Sequence, residues 1–415
     1  MKKNILKVIS AVLICVSIAI IVSSLLTNLI FRDSKEVSKF LKAEGKDIKL
    51  NDKTIVLKGV NAGGFLVQEE WMCPTEMLDQ VSLISTLIDR FGENSANELL
   101  DAYHKSWWRE EDFVNIKNLG FNCIRLPFTY LNLYDENYIL KDDAFYLIDW
   151  FIENCKENQL YVILDLHGAI GSQNGAHHSG NTWGGTGESR LFSNDDYKEK
   201  TIQLWKDVAN RYKDEPTIAA YDLLNEPTAG EGFVSGPVQW LFYNDLYLAI
   251  REIDSNHIIM MESAWDTKDL PAPKDTYMVW SWDWENVVYQ YHHYCWDGVN
   301  NATITKEFID QKVEDIRNLA YEVPIFIGEF TGFELEENWI SLLKAYDSEG
   351  YSYTMWTYKV VGKNSSWGLH TSDILRVDPS TASYDEILTT WSNLGTSDNF
   401  EKNDKICDYA TRYIS

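Results

Sequence analysis

Six cysteines are scattered over the 415 residues, and no two stand at CxxC spacing. A zinc-ribbon pattern and a dense disulfide framework are therefore excluded. Basic residues are also scarce: 37 Lys and Arg face 63 Asp and Glu, a net charge of −26. Nucleic acid is excluded as a partner, because its phosphates require a basic groove. No glycine-rich dinucleotide fingerprint follows the first strand-like segment, where the chain reads Asn61-Ala62-Gly63-Gly64. That stretch also lacks the His-x-His pair a barrel metal hydrolase would place there. Long apolar runs are missing too, with one exception. Val8–Ile30 carries no charge over 23 residues. It is long enough to span a bilayer, and too long for a signal-peptide core of roughly 7–15 residues.

Lys2, Lys3 and Lys7 precede this run and would stay cytoplasmic by the positive-inside rule. The expectation is an uncleaved transmembrane signal anchor over residues 1–30. It makes the chain a single-pass protein of the cell membrane, with its bulk extracellular. Secretion after signal cleavage is the alternative. Residues 31–46 are charged and read as a stalk, and 47–415 read as one domain.

What the sequence has in abundance is aromatic surface: 16 Trp and 23 Tyr in a chain that is 13% aromatic. It also alternates strand-like and helix-like segments. The strand candidates are Thr54–Gly64, Phe121–Phe128, Leu160–Gly168, Thr217–Pro227, His257–Ser263, Asn286–Tyr294, Pro324–Phe330 and Tyr351–Tyr358. Most are apolar without strict alternation, which suits strands covered on both faces. Eight such strands alternating with helices predict an α/β fold, a (β/α)8 TIM barrel. Residues 72–105 read as a helical insertion after the first strand, and 169–195 as a long loop after the third.

In such a barrel the reactive groups gather at the C-terminal strand ends. Those ends carry Asn61, Arg125, His167, Asn225, Glu226, His292, Tyr294, Glu329 and Trp356. Glu226 and Glu329 stand on strands four and seven, so their carboxyl groups can converge across the barrel. Two converging carboxylates flanked by these residues point to glycoside hydrolysis, which needs one carboxyl protonated and one ionised. Arg125 and Tyr294 suit an ionised Glu329, leaving Glu226 as proton donor.

The segments GFNCIRLPF, LDLHGAIGSQNG, LLNEP, His292-x-Tyr294, FIGEF and MWTY follow one another in this order. Together they resemble glycoside hydrolase family 5, the cellulase-like enzymes, over roughly residues 55–370. LHGAIGSQNG and the preceding WWREEDF are most similar to the exo-β-1,3-glucanase-like branch. The resemblance implies a retaining mechanism, with Glu226 as acid–base and Glu329 as nucleophile. It also implies that Asn225 holds the substrate 2-hydroxyl, and that Arg125 sits beneath the nucleophile. His167 and His292 would line the reacting sugar's subsite, Tyr294 would hydrogen-bond Glu329, and Trp356 would form a stacking floor. No metal or organic cofactor is implied. The loop GAHHSGNTWGG departs from the branch pattern, which leaves linkage preference open.

The expected substrate is an extracellular β-glucan, β-1,3-linked first and β-1,4-linked second. A transglycosylase of wall or capsule glycan, or a non-catalytic glycan-binding barrel, are the alternatives. Plainer roles are expected elsewhere. His177 and His178 read as solvated, and Trp150 and Trp205 as core. Trp183 and Trp296 are candidates for stacking on sugars.

Overall fold

The computed structural model describes residues 38–228, 236–263 and 269–414. Eight parallel strands close into a barrel in sequence order. They are β1 (Lys58–Asn61), β2 (Cys123–Thr129), β3 (Tyr161–Gly168) and β4 (Ile218–Asp222). They continue with β5 (Ile258–Ser263), β6 (Val287–His293), β7 (Ile325–Phe330) and β8 (Ser352–Met355). β2 and β3 are buried over almost their whole length, as strands covered on both faces must be.

The helices form for readable reasons. In Asp195–Tyr212 the Asn194 side chain accepts from the Asp196 amide, and Asp195 and Asp196 occupy the positive first turn. Its buried residues Thr201, Leu204, Trp205, Val208 and Tyr212 recur at helical spacing on one face. Tyr384–Trp391 starts with a capping box between Ser383 and Glu386. Two helices, Gln80–Phe91 and Glu93–Trp107, fill the insertion after β1.

The barrel interior changes character along its axis. At one end Cys123, Ile163, Ala220, Met260, Val288 and Phe326 share an apolar cluster with Leu41 and Ile48. Ile48 stands in, and Leu41 immediately before, a short antiparallel sheet of Lys42–Glu44, Asp47–Leu50 and Lys53–Thr54. This sheet plugs the barrel, and each buried side chain contributes about 1.5–3 kcal/mol. The last residues of the expected stalk, 31–46, are thus part of the plug. At the other end the interior is ionic, as the next section describes.

Three strands differ by more than two residues from their expected bounds. β1 is Lys58–Asn61 instead of Thr54–Gly64, and Thr54 belongs to the plug sheet. β4 stops at Asp222, and Glu226 beyond it has a left-handed φ of 44°. β8 stops at Met355, where the Thr357 amide bonds the Trp367 carbonyl at 2.6 Å and draws the chain off the sheet.

The membrane expectations are corrected. No helix among the described residues is long and apolar enough to cross a membrane. Val8–Ile30 lies outside the described residues, whose fold is the barrel alone. The described residues supply no membrane-crossing helix, and the transmembrane element, the membrane partner and the single-pass cell-membrane location are not carried further.

Gly59 on β1 leaves no room for a side chain: a Cβ there would lie 2.0 Å from the Cys123 carbonyl oxygen on β2. Gly59→Ala is expected to destabilise the chain by about 1–3 kcal/mol or more. Thermal unfolding of both proteins checks this; an unchanged midpoint would show that the β1–β2 contact can relax.

Candidate active site

Arg125 is fully buried and points from β2 into the ionic end of the barrel. Its Nε donates to Asp222 Oδ2 at 2.9 Å and its Nη2 to Asn225 Oδ1 at 2.8 Å. Its Nη1 donates to Asn61 Oδ1 at 3.1 Å and to Glu329 Oε1 at 2.9 Å. Asp165 Oδ1 lies 3.1 Å from Nη2. Burial works against the charge, but the surrounding carboxylates outweigh it and raise Arg125 above its ordinary value. Burial pushes Asp165 and Asp222 up to about 7 even so, with Arg125 opposing.

Glu329 also accepts from the Tyr294 hydroxyl, at 2.8 Å on Oε2. Burial lifts its carboxyl above the usual range, while His292 and Arg125 pull it down. Glu226 is held differently. Its Oε1 lies 2.8 Å from His292 Nδ1, and its Oε2 lies 3.4 Å from His178 Nε2. One carboxylate oxygen of Glu226 and one of Glu329 lie within 4.8 Å of each other. Both residues keep a little exposure, 8% and 6%, so the cleft reaches them.

The Ser-Gln-Asn loop after β3 fixes the segment that carries Glu226. Gln173 Nε2 donates to the carbonyls of His167 and Asn225 at 2.7 and 2.8 Å. Asn174 Nδ2 donates to the Glu226 carbonyl at 3.2 Å and to His178 Nε2 at 2.7 Å. His167 Nδ1 faces Asp165 Oδ2 at 2.7 Å, and burial holds this imidazole down to about 4. The Trp356 ring stacks on it, centroids 5.4 Å apart, but Trp356 is only 3% exposed. A sugar therefore meets at most an edge of that ring in this conformation.

Two sequence readings change. His177 and His178 are not simply solvated. His177 Nε2 pairs with buried Glu69 at 3.0 Å, and His178 packs beside Glu226. Burial raises the Glu69 carboxyl, but the hydrogen bond with His177 and the charges of His178, His177 and His167 together bring it below its ordinary value. Trp183 is not a free stacking surface, because Arg190 covers its ring at 3.8 Å and Tyr197 stacks on it at 6.2 Å. Trp296 is 59% exposed and stacks on Tyr294 at 5.7 Å. Trp71 and Trp367, which the sequence reading passed over, extend this wall, 5.2 Å apart. Trp367 also lies 5.6 Å from Tyr294. Glu262, Asp165 and Asp222 were missed as well; the one signal was an acidic residue in an otherwise apolar strand.

Among the described residues, two groupings have the spacing to hold a metal ion: Glu69, His177 and His178, and Glu226, His292 and Glu329. In the second, every candidate ligand already has a protein partner. Glu329 is bound by Arg125 and Tyr294, and His292 Nδ1 by Glu226. This is a hydrogen-bonded acid pair, suited to moving a proton on one side and holding a charge on the other.

Comparison with known proteins agrees with this geometry. Residues 91–361 match the family described as Cellulase (glycosyl hydrolase family 5). A beta-xylosidase of Phanerodontia chrysosporium is 27% identical over 351 residues, 78% of this chain and 71% of that protein. A glucan 1,3-beta-glucosidase of Candida oleophila is 33% identical over 261 residues, 59% of this chain and 58% of that one. Among solved structures, rutinosidase from Aspergillus niger superposes with a TM-score of 0.61 at 17% identity, covering 82% of this chain and 98% of that one. At that identity the likeness concerns the fold. The family match covers well over half of the chain, in the region that holds both glutamates and Arg125, and on that ground the chain belongs to glycoside hydrolase family 5.

Proposed function

We propose that this enzyme is a retaining β-glycosidase acting on β-glucan, β-1,3-linked first and β-1,4-linked second. Glu226 serves as acid–base and Glu329 as nucleophile. The observation that carries this reading is the unequal setting of two close carboxylates. Glu329 receives a guanidinium and a phenol, both of which stabilise an anion. Glu226 faces two imidazoles instead. The separation is short, with one oxygen of each carboxyl within 4.8 Å of the other. It belongs with the roughly 5–5.5 Å of retaining enzymes, not the 6.5–9.5 Å of inverting ones. The names of two relatives, a glucan 1,3-beta-glucosidase and a beta-xylosidase, support a β-linked substrate.

In the first step Glu329 attacks the anomeric carbon while Glu226 gives its proton to the departing oxygen. In the second, Glu226 takes a proton from water, and that water releases the sugar from Glu329. Asn225 is oriented by Arg125 toward the substrate 2-hydroxyl, and His167, His292 and Tyr294 line the reacting subsite. Trp356 closes the floor through its stack on His167.

One observation favours a second reading, transglycosylation. The wall of Trp71, Trp296 and Trp367 continues beyond Tyr294 and offers ring surface to an acceptor sugar in place of water. A glycan panel with products separated by size distinguishes the two. Shortened products indicate hydrolysis, extended ones transfer, and no turnover at all would leave only a binding barrel.

The roles are tested with azide. Glu226→Ala is expected to lose about 10²–10⁴-fold on natural glycan. It loses much less in the first step of a dinitrophenyl glycoside, and azide restores turnover with a β-glycosyl azide as product. Glu329→Ala is not rescued by the activated leaving group, and azide there gives an α product. The opposite anomers would exchange the two roles.

A pH profile tests Tyr294. Attack needs ionised Glu329, and burial lifts that carboxyl above the ordinary value of 4.5. Activity is therefore lost as pH falls through the raised value, and the acid limb of kcat/KM lies above 4.5. Tyr294→Phe removes a donor to the anion, so the limb moves to still higher pH and the rate on its acid side falls about tenfold. An unmoved limb would take Tyr294 out of this role.

A further inference from the structure

Four buried carboxylates share the Arg125 guanidinium, and one of them is set apart. Asp222 and Glu329 lie at 2.9 Å and Asp165 at 3.1 Å, but Glu262 Oε2 lies at 3.9 Å, beyond hydrogen-bond distance. That oxygen accepts from Gln290 Nε2 at 2.9 Å. The other oxygen, Oε1, faces His292 Nε2 at 3.3 Å. Both of these atoms are buried, and neither is hydrogen-bonded in this conformation, so each is the other's nearest polar complement.

Two buried atoms left facing each other at this distance are satisfied if one proton lies between them. Either His292 Nε2–H donates to an ionised Glu262, or a protonated Glu262 donates to a bare Nε2. The first arrangement adds a buried negative charge beside a guanidinium that three nearer carboxyls already share, on the carboxyl least able to reach it. It also leaves Nδ1 as a bare lone pair facing Glu226 Oε1 at 2.8 Å and Glu329 Oε2 at 3.6 Å. The second arrangement gives every atom a complementary partner.

We propose that Glu262 is a buried neutral carboxylic acid and a positioning residue. Its O–H donates to His292 Nε2, fixes the imidazole as the Nδ1–H tautomer, and makes His292 a permanent donor to Glu226 Oε1. Glu226 then carries its acid proton on Oε2, the oxygen beside His178. That proton goes to the departing oxygen in the first step and is replaced from water in the second. The Nδ1–H stays in place to stabilise the carboxylate between steps, and Glu262 keeps its own proton throughout.

The surrounding groups agree. Burial, with the charge of Asp222 adding to it, lifts Glu262 well above the usual carboxylate range; Glu226 and Glu329 act in the same direction, and Arg125 opposes. Burial holds His292 down at about 3, so it stays neutral, with Arg125, His167 and His178 acting in the same sense and Glu329 opposing. Tyr243, on the helix packed behind β5, gives its hydroxyl to the Glu262 backbone carbonyl, not to the carboxyl.

The kinetic consequence rests on the reading of Glu226 as acid–base, but the tautomer does not. Nitrogen-15 NMR of the full chain, with the His292 signals assigned by their loss in His292→Gln, reads the tautomer directly. The expected result is protonated Nδ1 and bare Nε2. Glu262→Met removes the donor; it should disturb this tautomer and lower kcat about tenfold on natural glycan, with a smaller loss on the dinitrophenyl glycoside. Glu262→Gln should rescue both, because its amide oxygen keeps the Gln290 bond and its NH2 takes the place of the O–H. A protonated Nε2 in the natural protein would overturn the proposal. So would a Glu262→Gln variant that resembles Glu262→Met, or equal losses on both substrates. If Glu262→Met does not fold, the NMR of the natural protein and of Glu262→Gln decides. A failed azide rescue at Glu226 would remove the acid–base reading and leave the tautomer result standing.

Discussion

The guanidinium of Arg125 is the point on which the catalytic end of the barrel depends. It is fully buried, so its charge must be met by the groups around it. The groups that meet it come from β1, β3, β4, the segment after β4, and β7. Each of those bonds fixes a strand end relative to β2. Asn225 and Glu329 owe their positions to this one cation, and Glu226 follows Asn225 in the chain. A neutral side chain at Arg125 would leave several buried carboxylates facing one another.

Around that cation the barrel arranges charge by number and distance. One guanidinium cannot balance four ionised carboxylates in a low-dielectric interior, and Glu262, the farthest from it, is the one we assign a proton. The same logic separates the two glutamates of the cleft. Glu329 lies within the reach of Arg125 and Tyr294, whereas Glu226 meets imidazoles that burial keeps neutral. Beyond Tyr294 the wall of tryptophans changes the cleft from ionic to aromatic, a surface suited to the faces of sugar rings. The apolar plug at the opposite end of the barrel keeps the ionic layer confined to the top.

Much of this was legible in the chain. Apolar strands without alternation announced a sheet covered on both sides, and eight of them with intervening helices announced the barrel. Glu226, Glu329, Arg125 and Tyr294 stood at strand ends, where such a barrel gathers its chemistry. The ends themselves were less legible. The positive φ of Glu226, beyond the end of β4, belongs to a non-glycine residue and left no mark in the sequence. Glu262 looked like an accident in a strand, because nothing in its neighbourhood along the chain names His292. The two histidines of the long loop looked solvated because their partners, Glu69 and Glu226, are distant in sequence. Trp71 and Trp367 come from loops nearly 300 residues apart.

The sequence by itself determined the residue types and their order along the strands, and with them the barrel and its family. Those features are local: periodicity, turn chemistry and short motifs act over a few residues. The tertiary structure alone decided which carboxylate lies nearest Arg125, which imidazole nitrogen faces which oxygen, and which tryptophans share a wall. Those are differences of an ångström or less between groups brought together from separate strands. Only closure of the barrel sets them, because only closure fixes the distances on which charge, protonation and hydrogen bonding depend.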